Sequence, residues 1–431
     1  MNKLRMASFR VDVTPPIGHS LCGGLVQSAR AVRDPLFARG LILDDGKTRV
    51  VLCAVDFCEI VGAAHRQICR ALAQGADTSA RHIALHTVHQ HDAPYIFREA
   101  EPLLKSHGIG QLDEVWWEDV VGRLGAAATK ASRRLRKVTT VGVGEARVAD
   151  CASNRRMIGS NGKVSAMRFS LCSDPKLKAL PVGLIDPLLR SVTFWSGPKL
   201  LASMNYYATH PQSAHGRGII SADTIGEALR RTEERFPSAE HLYFTGCSGN
   251  ITLGKYSSTR PEKNISLFGS RLGKGIVNAI AHSEIERVAP GPLGWSAKTI
   301  DLPFRVRLSE VRAMGLLGAV ENSLPQRVVA AWALAAMRTP HWNRVTLQSL
   351  RVGPARIVYL PSEMFLEYQL FAQELLPGEF VAVAAYGDGK MFYVPTANAF
   401  QQGGYELEAT RSYTTRDVEP LLKNTITQLL K

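Results

Sequence analysis

The chain has 431 residues, of which 45% are hydrophobic, and it carries a formal net charge of +14. This composition is typical of a globular protein with a large core, and the apolar runs are too short to span a bilayer. The charge suits an anionic partner such as a lipid surface, but the thin spread of basic residues without interleaved aromatic side chains argues against nucleic-acid binding.

Strand-like and helix-like segments alternate along the sequence. The predicted strands are Leu41 to Asp44, Val50 to Asp56, His82 to Thr87, Thr139 to Glu145, Leu200 to Ala208, Leu242 to Thr245, Arg356 to Leu360 and Val381 to Tyr386. The predicted helices are Ala63 to Gln74, Glu118 to Ala131, Thr224 to Arg235, Leu267 to His282, Leu308 to Ala319, Pro325 to Met337, Phe365 to Leu375 and Asp417 to Leu430.

This alternation predicts an α/β fold in which layered mixed β-sheets are flanked by helices. No repeat period or polar linker divides the chain, so we expect a single large domain over residues 1–431. The Pro- and Gly-rich segment Ala289 to Gly294 is interpreted as a loop within that domain.

The cysteines and the N-terminal segment give indications of the cellular compartment and of the side chains that could bind a metal. The seven cysteines are scattered and form no CxxC pair, which argues against a disulfide framework and against a thiolate zinc site. The first residues include basic side chains but no apolar stretch of the kind that a secretory signal has. We expect a cytoplasmic protein, or a secreted one if a leader has been removed, and any metal should be held by histidine and carboxylate groups.

Two histidine-bearing segments follow predicted strands. His89 and His91 come just after the strand that ends at Thr87, where neutral imidazoles could provide a metal ligand and a proton-transfer group. His210 ends another strand, and Pro211 confines it to extended backbone. The alternatives are inert loop histidines in the first case and a satisfied buried histidine in the second.

Three further segments carry polar groups. The turn from Gly246 to Gly249 could present backbone N–H groups to an oxyanion, or it could be purely structural. Glu363 lies where a strand gives way to a helix, so it could ligate a metal or simply cap that helix. Tyr386 and Tyr393 could act near a cation, although most tyrosines only pack.

Taken in order, these segments resemble the catalytic domain of the neutral/alkaline, non-lysosomal ceramidase family. The resemblance begins at Arg10 to Gly18, which is similar to the family's opening DITPPIG. It continues through Asp34 to Arg39, Val50 to Phe57, Asn154 to Arg156, Asn161 to Val164 and Tyr393 to Glu406.

The resemblance implies a zinc-dependent hydrolase that cleaves an N-acyl amide such as ceramide, with a small-molecule or lipid substrate. It implies that zinc is held by four side chains: His89, His210, Glu363 and Tyr393. Catalytic roles fall to His91, as a proton shuttle with near-neutral titration, and to Tyr393, Thr252 or the turn N–H groups as oxyanion donors. Asp92 is a further expected catalytic residue, and Arg155, Asp223, Gly249 and Asn250 are expected to bind substrate.

The sequence departs from the family pattern at defined positions. At the positions of the serine and the glycine in the family's HxHSGP motif, this chain has Asp92 and Ala93. In the family's GDVSPN turn, Thr252 takes the place of the serine, and Asn250 takes the place of the aspartate. The C-terminal β-sandwich of the ceramidases is not expected in this chain. Two alternatives therefore stay open: a zinc enzyme acting on a carbohydrate or other polar substrate, and a ligand-binding domain without catalysis.

Overall fold

The computed structural model describes residues 4–287 and 293–431, so most of the predicted loop Ala289 to Gly294 lies outside the described residues. The strands are β1 (Arg5–Asp12), β2 (Ala31–Val32), β3 (Phe37–Asp44), β4 (Arg49–Val55), β5 (Glu59–Val61), β6 (Ile83–Thr87), β7 (Tyr95–Phe97), β8 (Arg136–Lys137), β9 (Thr140–Arg147), β10 (Ser153–Asn154), β11 (Arg156–Ile158), β12 (Val164–Met167), β13 (Leu188–Ser196), β14 (Lys199–Tyr207), β15 (Ile219–Ile220), β16 (Glu240–Thr245), β17 (Ile251–Thr252), β18 (Glu284–Arg287), β19 (Gly294–Asp301), β20 (Arg344–Val352), β21 (Ala355–Tyr359), β22 (Glu363–Met364), β23 (Phe380–Ala384) and β24 (Tyr393–Val394). The helices are α1 (Ala63–Ala76), α2 (Glu101–Lys105), α3 (Glu114–Ser132), α4 (Pro175–Ala179), α5 (Asp223–Arg235), α6 (Pro261–Ala281), α7 (Glu310–Gly318), α8 (Leu324–Arg338), α9 (Leu366–Glu374), α10 (Ala397–Gln402) and α11 (Val418–Leu430).

The larger sheets share one strand arrangement. The first sheet has the order β8-β1-β3-β4-β6, the second β18-β9-β13-β14-β16, and the third β19-β20-β21-β23. In each sheet the strands pair antiparallel except for the last pair, β4 with β6, β14 with β16, and β21 with β23, which is parallel. The predicted α/β class with mixed sheets is therefore confirmed.

Each parallel pair is joined by a chain segment that contains a helix, because parallel neighbours need a long crossover connection. Helix α1 lies between β4 and β6, α5 between β14 and β16, and α9 between β21 and β23. The predicted helices and strands match observed elements, with ends that differ by a few residues.

The carboxyl ends of β6, β16 and β23 meet. The Thr87 backbone N–H donates to the Tyr386 carbonyl oxygen at 2.8 Å, and the Ala385 N–H donates to the Thr245 carbonyl oxygen at 2.9 Å. The Thr245 hydroxyl then donates to the Val88 carbonyl oxygen at 2.7 Å. This junction brings the loops that follow the three strands to one place.

The core explains why these segments fold as they do. Strand β4 reads as a continuous apolar run and is buried on both faces, since helices cover one side and another sheet the other. Helix α1 buries Ile68 and Leu72 on its apolar face and packs against α3. Among the described helices, none has the length and apolarity that a membrane crossing requires.

Candidate functional site

His89 follows β6 in a left-handed backbone conformation, with φ of +74°. Its backbone N–H donates to the Phe57 carbonyl oxygen at 2.9 Å, which holds this conformation. The ring nitrogen Nδ1 lies 2.8 Å from the Cys58 carbonyl oxygen, and the ring stacks on Tyr386 with centroids 4.2 Å apart. Because a carbonyl oxygen only accepts, Nδ1 carries the proton, and the lone pair for a ligand is at Nε2.

His210 is held in the same way at the end of β14. Its Nδ1 lies 2.8 Å from the Ser248 carbonyl oxygen and 3.1 Å from that of Ile251, so this ring also presents an unprotonated Nε2. Burial lowers the pKa of His210 to about 4, which keeps the imidazole neutral at neutral pH. A neutral imidazole is the form that binds a metal ion.

Glu363 completes this group from the third sheet. Its Oε2 lies 3.4 Å from His89 Nε2 and 3.3 Å from His210 Nε2. Burial alone would raise the pKa of this carboxyl group, but the two neighbouring imidazoles hold it well below its ordinary value. The carboxylate is therefore ionised at neutral pH.

The donor atoms of His89, His210 and Glu363 fit a metal ion. All three lie within 4.8 Å of one another, and His89 Nε2, His210 Nε2 and Glu363 Oε2 are buried without a hydrogen-bond partner among the described residues. Buried polar atoms are rarely left unpartnered in this way. Two imidazoles and a carboxylate form a donor set suited to zinc and to similar divalent cations. These residues could hold a metal ion, and the sequence-based prediction had chosen the same three.

Tyr393, the fourth predicted ligand, lies on β24, which pairs in parallel with β22 so that Tyr393 is opposite Glu363. The Arg155 guanidinium lies over the Tyr393 ring, 5.0 Å from its centroid. Burial raises the pKa of the Tyr393 phenol well above its ordinary value, so the phenol keeps its proton.

The predicted substrate residues Arg155, Gly249 and Asn250 form the wall behind Glu363. Arg155 donates from Nη2 to the Gly249 carbonyl oxygen at 2.6 Å and from Nε to Glu406 at 2.7 Å. The Asn250 amide oxygen accepts from the Leu366 N–H at 2.9 Å, at the start of α9. These hydrogen bonds are internal, so the three residues order the wall.

The turn from Gly246 to Gly249 differs from the expectation that its N–H groups are free to hold an oxyanion. Gly246 N–H donates to the Tyr207 carbonyl oxygen, Cys247 N–H to the Gln369 side chain, and Gly249 N–H to the Met364 carbonyl oxygen, at 2.8 to 3.0 Å. Buried backbone donors are normally paired in this manner. That part of the prediction is corrected, because those three donors are already used.

Thr252 lies in the same region on β17, and its hydroxyl group has internal partners. It donates to the Arg168 carbonyl oxygen at 3.0 Å and accepts from the Gly254 N–H at 3.0 Å. Within the described residues these contacts fix the turn after β17, and the catalytic role expected for Thr252 stays a prediction.

Asp92 and Asp223 order the loop that follows His210. Asp223 accepts from the backbone N–H groups of Ser213 and Ala214 at 2.9 to 3.0 Å, and Asp92 accepts from that of Gly216 at 3.1 Å. Burial raises the pKa of Asp223 to about 6 and that of Asp92 to about 7, the latter also because Asp223 is near. Both carboxyl groups therefore position backbone next to His89, His210 and Glu363, which are called the metal-ligand group below because they could hold a metal ion.

His91 lies beside His89 and His210, with ring centroids 5.1 Å from that of His89 and 5.9 Å from that of His210. Its Nε2 is buried without a partner among the described residues, while Nδ1 meets the Gln212 amide nitrogen at 3.1 Å. The sequence-based expectation that His91 titrates near neutral pH is corrected, because burial lowers the pKa of His91 to about 4.

Some residues at the site were missed by sequence reasoning. Cys22 and Cys58 bring their sulfur atoms within 3.5 Å of each other beside His91. Glu59 is a fully buried carboxyl group, 3.9 Å from His89 Nδ1, whose pKa burial raises well above its ordinary value. A glutamate directly before the apolar Ile60 and Val61 was the available signal for Glu59; no signal pointed to the cysteine pair.

A cavity of about 920 Å³ lies next to this region but is a separate feature. Its lining includes His86 of β6, two tryptophans and five basic side chains, against one carboxylate, that of Asp388. His89, His210 and Glu363 do not line it. Its volume therefore says nothing about the size of a substrate at the metal-ligand group.

Comparisons with known proteins bear on the family and the fold. A model of the N-terminal domain of neutral/alkaline non-lysosomal ceramidases matches residues 10–300. The neutral ceramidase from Pseudomonas aeruginosa is similar in structure over 100% of this chain and 74% of that chain, with a TM-score of 0.72 and 17% identity. A structure described as ceramidase complexed with C2 is similar over the same shares, with a TM-score of 0.74 and 17% identity. No curated protein matches the chain in sequence.

Proposed function

Because the chain belongs to the neutral/alkaline non-lysosomal ceramidase family, we propose that it is a zinc-dependent hydrolase of an N-acyl amide bond, with a ceramide-like lipid as its substrate. The observation that carries the proposal is the convergence of His89 Nε2, His210 Nε2 and Glu363 Oε2, all buried and all unpartnered within the described part of the chain. The similarity to a solved structure described as ceramidase complexed with C2 supports the choice of a ceramide-like substrate.

In this proposal His89, His210 and Glu363 hold the zinc, with Tyr393 as the fourth ligand or as a neighbour that contacts substrate. Zinc bound there would polarise the scissile carbonyl group and lower the pKa of an attacking water. The hydrogen bonds from both Nδ1 atoms to carbonyl oxygens fix the ring orientations and the tautomers, which such a site needs.

The remaining chemistry is assigned to side chains of this chain. Burial lowers the pKa of His91 to about 4, so its imidazole is neutral and has a free lone pair that can accept a proton from water. The same low pKa makes His91 a weak base but favours the later transfer of that proton to the leaving amine. The Tyr393 phenol keeps its proton, as its raised pKa requires, and can donate a hydrogen bond to the oxyanion. Arg155, over the Tyr393 ring, holds that phenol in place.

The test combines metal content with turnover of a fluorescent short-chain ceramide. Purified wild-type protein should contain stoichiometric zinc and release fatty acid. Glu363→Gln and His210→Ala should lose both the zinc and the activity. The matched control is His282→Ala, an exposed histidine at the end of α6 that should keep both.

The outcomes separate the parts of the proposal. Turnover that survives in Glu363→Gln after metal removal would contradict the metal mechanism. Stoichiometric zinc without turnover of any N-acyl amide would contradict the substrate class and favour the carbohydrate or ligand-binding alternatives. The net charge of +14 favours contact with anionic lipid surfaces, and this contact and the cytoplasmic location stay predictions.

A further inference from the structure

The cavity beside the metal-ligand group has the features of a second ligand site. Its volume of about 920 Å³ is within the range of small-molecule pockets and is much larger than an inorganic ion needs. It lies between α1, β6 with the turn before it, β19 and the loop after β23, and His89, His210 and Glu363 do not line it. We propose that this cavity binds a soluble nucleoside phosphate, a small anion that carries a planar ring.

The positive charge of the cavity lining is only partly neutralised. Three of the five basic side chains pair with carboxylates: Arg66 with Glu99 at 3.4 Å, Arg344 with Asp301 at 2.8 Å, and Lys390 with Asp388 at 3.6 Å. The other two, Arg70 and Arg81, form no ion pair among the described residues. Because a guanidinium group matches the geometry of a phosphate group, these two side chains can bind an anionic ligand without giving up a partner.

Arg70 and Arg81 lie at the open end of the cavity. Both residues line the cavity and are exposed to solvent, so a charged ligand can reach them from outside. Arg66 and Arg70 are four residues apart on α1 and therefore lie on one face of the helix, where their like charges repel. A phosphate group bound beside them would offset this repulsion.

A partly exposed tryptophan in the lining provides a surface for a planar ring. The Trp295 indole N–H donates to the Arg81 carbonyl oxygen at 3.0 Å, which ties the indole to the residue that carries one of the two unpaired guanidinium groups. The rings of His82 and Tyr359 each lie 6.3 Å from the Trp295 ring, centroid to centroid, and support it. A nucleobase can stack on an indole held in this way, while its phosphate groups reach the arginines.

The buried part of the lining offers a hydrogen-bond acceptor. His86 is 3% exposed, and its Nδ1 lies 2.7 Å from the Ala385 carbonyl oxygen, so Nδ1 carries the proton and Nε2 keeps a lone pair. Burial lowers the pKa of His86 to about 3, which keeps the ring neutral. This lone pair can accept from an amino or hydroxyl group but not from a phosphate oxygen. The nucleoside therefore has an acceptor and a stacking surface, and the phosphate groups have the arginines.

The binding test uses the full chain, with adenosine diphosphate as the probe and isothermal titration calorimetry as the measurement. Wild-type protein should bind it with one-to-one stoichiometry. Arg70→Gln and Arg81→Gln should each weaken binding at least about tenfold, because each removes a charge-assisted hydrogen bond to phosphate. Both arginines are exposed, so thermal unfolding of the two variants should match that of the wild type. The matched control is Arg134→Gln, an exposed arginine outside the cavity, which should leave the affinity unchanged.

A second comparison tests the ring. Inorganic pyrophosphate should bind to the wild type at least about tenfold more weakly than adenosine diphosphate, because it has no base to stack. In Trp295→Leu this difference should shrink, since the indole is gone while Arg70 and Arg81 remain. Pyrophosphate that binds as tightly as adenosine diphosphate would refute a nucleoside ligand.

Two results would overturn the proposal as a whole: wild-type protein that does not bind adenosine diphosphate at millimolar concentration, or binding that is equally tight in Arg70→Gln, Arg81→Gln and the wild type. His210→Ala separates this site from the metal-ligand group. That variant should lose the metal and still bind adenosine diphosphate with wild-type affinity. Loss of binding in His210→Ala would place the nucleotide at the metal-ligand group and refute a separate site in the cavity.

Discussion

The buried ion pairs around Glu406 allow a sharp test of how the wall of the site is stabilised. The Glu406 side chain is 0% exposed, and its two oxygens accept from Arg155 Nε at 2.7 Å and Arg156 Nη1 at 2.6 Å. Glu406→Gln removes the charge and nearly keeps the shape. Two buried guanidinium groups then lose the carboxylate that compensates them.

The expected loss is about 3–5 kcal/mol, the cost of removing one partner from a buried ion pair. Glu408→Gln is the matched control, since Glu408 is 59% exposed and lies 4.0 Å from Arg411, so it should cost less than about 1 kcal/mol. Urea unfolding followed by tryptophan fluorescence measures both variants. With an m value of about 3 kcal/mol per molar, the Glu406→Gln midpoint should fall by roughly 1–1.7 M.

A double-mutant cycle then isolates the interaction from the general effect of the substitution. Arg156→Gln and Glu406→Gln should couple by at least about 1 kcal/mol, whereas Arg411→Gln and Glu408→Gln should be additive to within about 0.5 kcal/mol. If Glu406→Gln unfolds at the same urea concentration as Glu408→Gln, or if the first cycle is additive, the ion pairs do not stabilise this wall and the reasoning is wrong.

Other substitutions test the neighbouring structure. In Gly249→Ala the new Cβ would lie 2.6 Å from the Glu363 carbonyl oxygen, so the metal content should fall and the free energy of unfolding should drop by about 1–3 kcal/mol. The control Gly122→Ala lies on α3, where a Cβ has open space, and its free energy of unfolding in urea should rise by about 0.5–1 kcal/mol. Thr252→Val leaves the Arg168 carbonyl oxygen and the Gly254 N–H without their partner and should lower the free energy of unfolding by about 1–3 kcal/mol. Thr252→Ser should have the stability of the wild type in thermal unfolding, and metal analysis should find the metal in both variants. Burial lowers the pKa of His241 to about 4, below about 6.5 in the unfolded chain, so between these pH values only the unfolded chain binds the proton. His241 should therefore contribute roughly 3 kcal/mol to the fall in the free energy of unfolding as the pH drops through this window, in addition to what His91 and His210 contribute. The pH slope of His241→Gln should be smaller than that of the wild type by this amount, and an unchanged slope would contradict the assignment.

Individual strands and helices could be predicted from the sequence, but the strand order that the three larger sheets share could not. Continuous apolar runs such as β4 were predicted because strands buried on both faces read that way. Strand β13 was not predicted, because Arg190 and Ser191 interrupt its apolar pattern. The three larger sheets share one order of strands, but this order depends on which strands pair and is not accompanied by a repeat in the sequence. It could therefore not be predicted.

The site could be predicted in part for a related reason. His89, His210 and Glu363 each follow a strand, and loops after parallel strands gather at one edge of a sheet. The resemblance to the family's motifs then identified these three residues among several candidate ligands that were weak when taken singly. Cys22 and Cys58 are 36 residues apart and match no local metal-binding spacing, so only the folded chain brings their sulfur atoms together.

Residues with strained backbone surround the metal-ligand group, and the fold holds them in place without a bound ion. His89, Ser362, Tyr386 and Phe392 all have φ between +55° and +74°, which costs on the order of 1–3 kcal/mol for each residue. Hydrogen bonds between separate segments hold these conformations: Tyr386 N–H donates to the Ser362 carbonyl oxygen at 3.0 Å, and Glu363 N–H to that of Phe392 at 2.9 Å. Because the fold itself stabilises the strained backbone, a metal ion bound by His89, His210 and Glu363 would not have to order these side chains, and its binding free energy would not be spent on arranging them.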